Sequence, residues 1–267
     1  MFFSIIFLLI GFVLLVKGAD YFVSGASSVA RRLRIPPVVI GLTIVAMGTS
    51  LPEASVSITA GFAGSNEIAL SNVLGSNLFN TLVVLGASAF IRPFAVDRDI
   101  LRRDHPVNTA VTILLLVLVL DGMLGRADGL LLLACMIVYL LVVIRASLRE
   151  RDGFVDDRAP QSLPLSIFLV VIGVAAIILG GDLVVDAACD IARVVGLSET
   201  VIGLTIVAIG TSLPELVTSV VAARMGESEL ALGNVIGSNL FNILFILGTS
   251  SALSPIGVLP ENIIDLS

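Results

Sequence analysis

Displaced by 162 residues, the amino-acid sequence matches itself without a gap. Val39–Ala46 equals Val201–Ala208 at all eight positions. Gly48-Thr49-Ser50-Leu51-Pro52-Glu53 recurs as Gly210-Thr211-Ser212-Leu213-Pro214-Glu215. Gly75-Ser76-Asn77-Leu78-Phe79-Asn80 recurs as Gly237-Ser238-Asn239-Leu240-Phe241-Asn242. Asp20, Arg31 and Glu67 recur as Asp182, Arg193 and Glu229. Chance does not produce this, so the fold must contain two copies of one unit.

Composition decides the medium. Of 267 residues, 57% are hydrophobic and 13% charged, against roughly 25% charged in an ordinary soluble domain. That places the chain in a lipid bilayer. A net charge of −6 without a basic stripe excludes a nucleic-acid partner, and no obligate protein partner is called for. Cys135 and Cys189 lie in apolar runs and read as small buried residues, not as a disulfide or metal framework. The lone His105 sits in a charged loop and reads as solvated. Apolar runs of roughly spanning length, about 17–25 residues, cover 2–24, 37–62, 68–91, 106–122, 127–145, 164–187, 199–222 and 229–253, the fourth marginal in length. The first begins without a basic region, and no small-residue cleavage site follows it. It reads as a membrane helix and not a signal peptide. The fold class expected is all-α, a polytopic transmembrane helical bundle.

The loops alternate in charge. One side carries twelve arginines (Arg31, Arg32, Arg34, Arg92, Arg98, Arg102, Arg103, Arg145, Arg149, Arg151, Arg158 and Arg224), the other only Arg126 and Arg193. Lys/Arg excess marks the cytoplasm, so the amino terminus is expected outside. Equivalent positions lie five spans apart. Five is odd, so the second copy enters the membrane upside down, an inverted-topology repeat of the kind found in secondary transporters. The units are residues 1–145 and 164–267, with 146–163 as a cytoplasmic linker. Counterparts of spans four and five would begin near residue 268. The expectation is therefore a chain truncated after about eight of ten helices.

Glu53 and Glu215 fall near the middle of their spans, where an ionisable side chain costs roughly 2.5–3.5 kcal/mol on insertion scales. No span offers an Arg or Lys at that depth, and a bound cation is a simpler partner than structural, protonated or helix-capping carboxylates. Pro52 and Pro214 precede the glutamates; each lacks an N–H and clashes with the turn before it, freeing carbonyls around Gly48 and Gly210. Ser76 and Asn80, four apart, share a helix face, as do Ser238 and Asn242. Asn77 and Asn239 lie about 100° around that helix and read as bonding between helices. Carboxylates, hydroxyls, amides and freed carbonyls are hard oxygen ligands, suited to Ca²⁺ and Na⁺, and the absence of nearby Cys or His disfavours zinc or copper. Two carboxylates balance one Ca²⁺ or two Na⁺.

The two Gly-Thr-Ser-Leu-Pro-Glu and two Gly-Ser-Asn-Leu-Phe-Asn blocks resemble the α-repeats of the calcium/cation antiporter superfamily, in its sodium/calcium exchanger branch of prokaryotic type. The resemblance covers nearly the whole chain. It implies a ten-helix fold in the cytoplasmic (inner) membrane, its amino terminus outside, with two long tilted helices gating a four-helix core. It implies exchange of Ca²⁺ for a monovalent cation by alternating access, with no cofactor and no enzyme activity. By the same resemblance Glu53 and Glu215 bind Ca²⁺ and share Na⁺. Thr49, Ser50, Thr211 and Ser212 give hydroxyl or carbonyl oxygens, as do the carbonyls of Ala46 and Ala208. Ser76 and Ser238 are Na⁺ ligands, and Asn80 and Asn242 complete the centre. Some family members carry Asp where this chain has Asn242, which leaves the stoichiometry open and the counter-ion open among Na⁺, H⁺ and K⁺. The alternative of another class is a Ca²⁺ channel or leak; helices broken at the midplane weigh against it.

Overall fold

A computed structural model of the chain describes residues 1–62, 67–94, 96, 100–150 and 159–258. Each predicted span is helical. The order is α1 (Phe2–Leu33), α2 (Pro37–Thr49), α3 (Leu51–Phe62), α4 (67–91), α5 (100–118), α6 (Arg126–Glu150), α7 (Leu163–Val195), α8 (199–211), α9 (Leu213–Met225) and α10 (Ser228–Leu253). Among the described residues five helices are long and apolar enough to cross a membrane, and seven passes are if each bent pair is one span. The marginal fourth run is α5, whose α-helical part His105–Leu118 has 14 residues, short of the roughly 20 that a span needs. A two-residue antiparallel ladder, β1 (Met123–Leu124) with β2 (Ile256–Gly257), is the only departure from an all-helical fold among the described residues. It ties the α5–α6 turn to the segment after α10. Of the predicted 146–163 linker, residues through Glu150 continue α6. Residues 151–158, with Arg151 and Arg158, and the loop positions Ser65 and Arg98 lie outside the described residues.

The two long helices run well past the predicted ends at 24 and 187. Both stop at equivalent positions in left-handed caps, Arg34 (φ 56) and Gly196 (φ 92). They pack antiparallel along their length because small residues recur every seventh position on both, Gly11, Gly18 and Gly25 facing Ser166, Gly173 and Gly180. A Cβ built on Gly18 would come 2.9 Å from the Gly173 carbonyl oxygen, and one on Gly25 would come 2.7 Å from that of Ser166. Such Cβ-free seams let membrane helices approach backbone to backbone.

The surface is apolar, and a polar centre is buried within an apolar core. Phe2, Leu9, Val13, Ile137, Val138, Phe168 and Val171 are exposed, forming the apolar surface that lipid covers, while Thr49, Ser50, Glu53, Glu215, Asn80 and Asn242 are fully buried. At the centre stands α10, almost wholly buried against α2, α3, α4, α6 and α9.

Candidate cation site

The site grows from two broken spans. In α2 a π-helical turn, Gly41–Val45, widens the helix, and at Ser50 the backbone leaves the helical region (ψ 10). Helix α3 then sets off at 49° with Pro52 and Glu53 in its first turn. The second repeat does the same, with a π turn at Gly203–Val207, a break at Ser212 (ψ 5) and a 50° bend into α9, whose first turn holds Pro214 and Glu215. Proline suits a first turn, where its missing N–H leaves nothing unbonded. Each carboxylate sits at the positive end of its own helix dipole.

The two breaks grip each other. Ser50 Oγ donates to Glu215 Oε1 (2.8 Å) and Ser212 Oγ to Glu53 Oε1 (3.1 Å), so each repeat's break serine holds the other's glutamate. Ser212 Oγ also lies 3.2 Å from Ser76 Oγ. Ser76 lies against the Glu53 carboxyl, as Thr49 and Ser238 lie against that of Glu215. Glu53 lies within reach of the Glu215 charge, and among the described residues no Lys or Arg acts on either carboxyl. Among the described residues no cluster of three or more His, Cys, Asp or Glu exists.

A pair of amides stands across the centre, where α4 and α10 begin π turns at Asn80 and Asn242. Asn80 Nδ2 donates to Asn239 Oδ1 (3.3 Å), and Asn242 Nδ2 donates to Asn77 Oδ1 (3.0 Å). The buried side-chain oxygens without a protein partner include Glu53 Oε2, Glu215 Oε2, Asn80 Oδ1 and Asn242 Oδ1 at this centre. They are symmetry pairs, one carboxylate and one amide oxygen per repeat. Ser238 Oγ is likewise without a partner. An unsatisfied buried polar atom costs about 1–3 kcal/mol, and a set made of oxygens alone is one that a dehydrated cation can answer.

Of the twelve anticipated residues, nine lie together here (Thr49, Ser50, Glu53, Ser76, Asn80, Ser212, Glu215, Ser238 and Asn242), whereas Thr211 bonds within its own helix and lines a side cavity, and the two alanine carbonyls are placed differently. Ala46 O accepts Ser50 N–H (3.1 Å) and Thr49 Oγ1 (3.3 Å), so it is engaged within its helix. Ala208 O accepts a long bond from Thr211 Oγ1 (3.4 Å). Sequence reasoning passed over Asn72 and Asn234. Their Nδ2 atoms reach Ser57 Oγ (3.1 Å) and Ser219 Oγ (2.9 Å), bracing α3 and α9 just beyond the glutamates. The signal was present: Asn72, Ser76 and Asn80, like Asn234, Ser238 and Asn242, are spaced four apart on one helix face.

The halves differ in closure. A Cβ on Gly41 would meet Leu230 O at 2.6 Å, and one on Gly237 would meet Ala46 Cβ at 2.7 Å; their equivalents Gly203 and Gly75 face nothing within 4 Å. Thus α2 is pressed onto α10, whereas α8 stands off α4. Helix α1 packs along α9, but the equivalent contact of α7 with α3 is marginal. A cavity of about 290 Å³ opens there, lined by Pro52, Ser55, Asp182, Asp186, Thr211 and Pro214 among others. It ends at the two prolines beside the glutamates.

Comparison with known proteins bears on the family and the fold. The sequence model of the family described as sodium/calcium exchanger protein matches residues 3–145 and 165–267. The chain belongs to the sodium/calcium exchanger family. It is accordingly an integral membrane protein of a family of cation antiporters, not of enzymes. The exchanger is 43% identical over 259 residues to "Putative antiporter CaxA" of Alkalimonas amylolytica, covering 94% of this chain and 81% of that one. It is 40% identical over 258 residues to "Inner membrane protein YrbG" of Escherichia coli, covering 93% and 79%. Among solved structures, the sodium-calcium exchanger NCX_Mj soaked with 2.5 mM Na⁺ and 0.1 mM Ca²⁺ superposes with a TM-score of 0.88 at 34% identity, covering 99% of this chain and 86% of that one.

Proposed function

We propose that this exchanger moves Ca²⁺ against a monovalent cation, Na⁺ in the first instance, by alternating access to one midplane site. Glu53 and Glu215 are the charged ligands. Asn80, Asn242, Ser76, Ser238 and the break residues Thr49, Ser50, Thr211 and Ser212, with the carbonyls of Ala46 and Ala208, supply the neutral oxygens. The observation that carries this reading is the symmetric set of four buried, partnerless oxygens from the two repeats. Two carboxylates give the site a charge of −2, which one Ca²⁺ or two monovalent ions neutralise; a third would leave net positive charge in a low-dielectric interior.

In the orientation drawn from loop arginines, the amino terminus lies outside the cytoplasmic membrane. The cavity between α7 and α3 then faces outward, and the packing of α1 on α9 seals the cytoplasmic side. The test is ⁴⁵Ca²⁺ uptake into vesicles of the full-length protein with Na⁺, K⁺ and H⁺ gradients imposed in turn. Uptake driven by an opposing Na⁺ gradient is expected. Uptake that ignores every counter-ion gradient identifies a channel, and uptake driven only by K⁺ or H⁺ reassigns the partner ion.

A further inference from the structure

The Gly-Ser-Asn-Leu-Phe-Asn motif carries two asparagines per repeat, and only the second of each has its oxygen without a partner. The first, Asn77 or Asn239, has its polar atoms bonded to protein. Asn77 Nδ2 donates to the backbone oxygen of Asn239 (3.2 Å), which crosses from α4 to α10 and leaves Asn77 Oδ1 facing Asn242. Asn239 Nδ2 donates to Thr81 Oγ1 (3.0 Å), and Thr81 Oγ1 passes the bond on to the Asn77 carbonyl (2.8 Å). That anchors Asn239 with its Oδ1 facing Asn80. Each anchored amide thus presents an acceptor, and an acceptor can be answered only by the NH₂ branch of the facing asparagine. The NH₂ and carbonyl of one amide lie on opposite branches. Fixing Nδ2 of Asn80 and Asn242 on the neighbouring helix therefore turns both Oδ1 atoms away from it, where they remain partnerless and buried.

We propose that Asn77 and Asn239 are positioning residues that aim the carbonyl oxygens of Asn242 and Asn80 at the transported cation, and that their acceptor oxygens select an amide over an ionised carboxylate at those positions. This assignment rests on the cation site proposed above. It also fixes the charge of the site. A carboxylate at 242 would set oxygen against oxygen at the position where Asn77 Oδ1 now accepts at 3.0 Å, so the site stays at two negative charges. The logic is that of outer-shell groups which orient metal ligands without touching the metal.

The experiment compares wild type, Asn77→Ala, Asn242→Ala and the double variant, as full-length protein in vesicles, reading half-saturating Ca²⁺ and maximal flux separately. Asn77→Ala is expected to raise half-saturating Ca²⁺ roughly tenfold, the lower end of outer-shell effects, with maximal flux largely kept. In the Asn242→Ala background the same change should add nothing, because its target is gone. Thr81→Val, at an exposed position of α4, tests the other arm without touching either asparagine and should raise half-saturating Ca²⁺ through Asn80. Unchanged half-saturation in Asn77→Ala and Thr81→Val, or effects of Asn77→Ala and Asn242→Ala that multiply, overturns the assignment while wild-type exchange stands. A wild type without counter-ion-dependent Ca²⁺ flux defeats the functional reading itself and this assignment with it.

Discussion

The two repeats share their site residues almost letter for letter yet adopt different packing. Around the first break, Gly41 is clamped against α10, Thr49 Oγ1 reaches Asn234 Oδ1 (3.1 Å), and Phe22 packs over Gly48. Around the second, Gly203 faces open space, and Thr211 lines a cavity. The long helices carry the difference onward. Ser24 and Ser28 of α1 are bonded to Gln161 and Ser166, while their equivalents Asp186 and Asp190 on α7 are exposed. Arg31 at the end of α1 pairs with Glu227 in the α9–α10 turn at 3.0 Å, both largely buried; its equivalent Arg193 pairs with Asp190 of its own helix at 3.4 Å, in the open. Shared residues thus build the shared site, yet identical pairs such as Gly41 and Gly203 or Arg31 and Arg193 meet different neighbours in the two halves.

The strongest way to break this comparison is at the shared residues. Glu53→Gln and Glu215→Gln should each lower exchange roughly 100-fold or more, as expected when a buried charge loses its role, with membrane insertion intact. A large effect at one and a near-normal flux at the other, in the vesicle assay, would end the equivalence of the repeats. Next comes closure. Cysteine at Thr211 should react with a membrane-impermeant maleimide from outside, and cysteine at the fully buried Thr49 should resist from both sides. Equal reactivity contradicts the one-sided opening.

Asn242→Asp probes the amides. Its flux should resemble wild type at low pH, where the introduced acid carries a proton to give Asn77, and should depart from it as pH rises and the acid ionises. A pH profile superimposable on wild type counts against the acceptor role of Asn77. Arg31→Ala should loosen the sealed side and raise half-saturating external Ca²⁺ by about three- to tenfold through a population shift. The swap of Arg31→Glu with Glu227→Arg should restore it, and failure of the swap to do so assigns the loss to something other than the pair. Smallest is Arg34→Gly. It removes a left-handed non-glycine cap that the second repeat already fills with Gly196. A gain of about 1 kcal/mol, read as a higher Tm in detergent, is expected.

Much of this was legible because a chain in lipid has few ways to hide polar atoms. Glu53, Pro52 and the four-residue spacing of Ser76 and Asn80 could hardly be read otherwise. The helix ends were not legible. Hydropathy fades at residue 24, but α1 continues to Leu33 because Ser27, Ser28 and Ala30 remain buried against neighbours. Four of the π turns, which begin at Gly41, Asn80, Gly203 and Asn242, leave no mark in composition, since widening a helix by one residue requires no special side chain. The seven-residue glycine seams stood in plain view, but their meaning depends on which helix faces them. Asymmetry of closure is a choice between two arrangements of nearly the same letters, hinted at only where the letters differ, as at Glu227 opposite Ser65 and at Asp186 and Asp190 opposite Ser24 and Ser28.

The seam between α1 and α7 has a mechanical consequence. With backbone laid against backbone at Gly11, Gly18 and Gly25, neither helix has room to slip past the other; they form one beam. On the alternating-access reading proposed above, a lean of that beam toward α3 is a lean away from α9, so that rigid geometry, with no separate latch, would keep both mouths from gaping together.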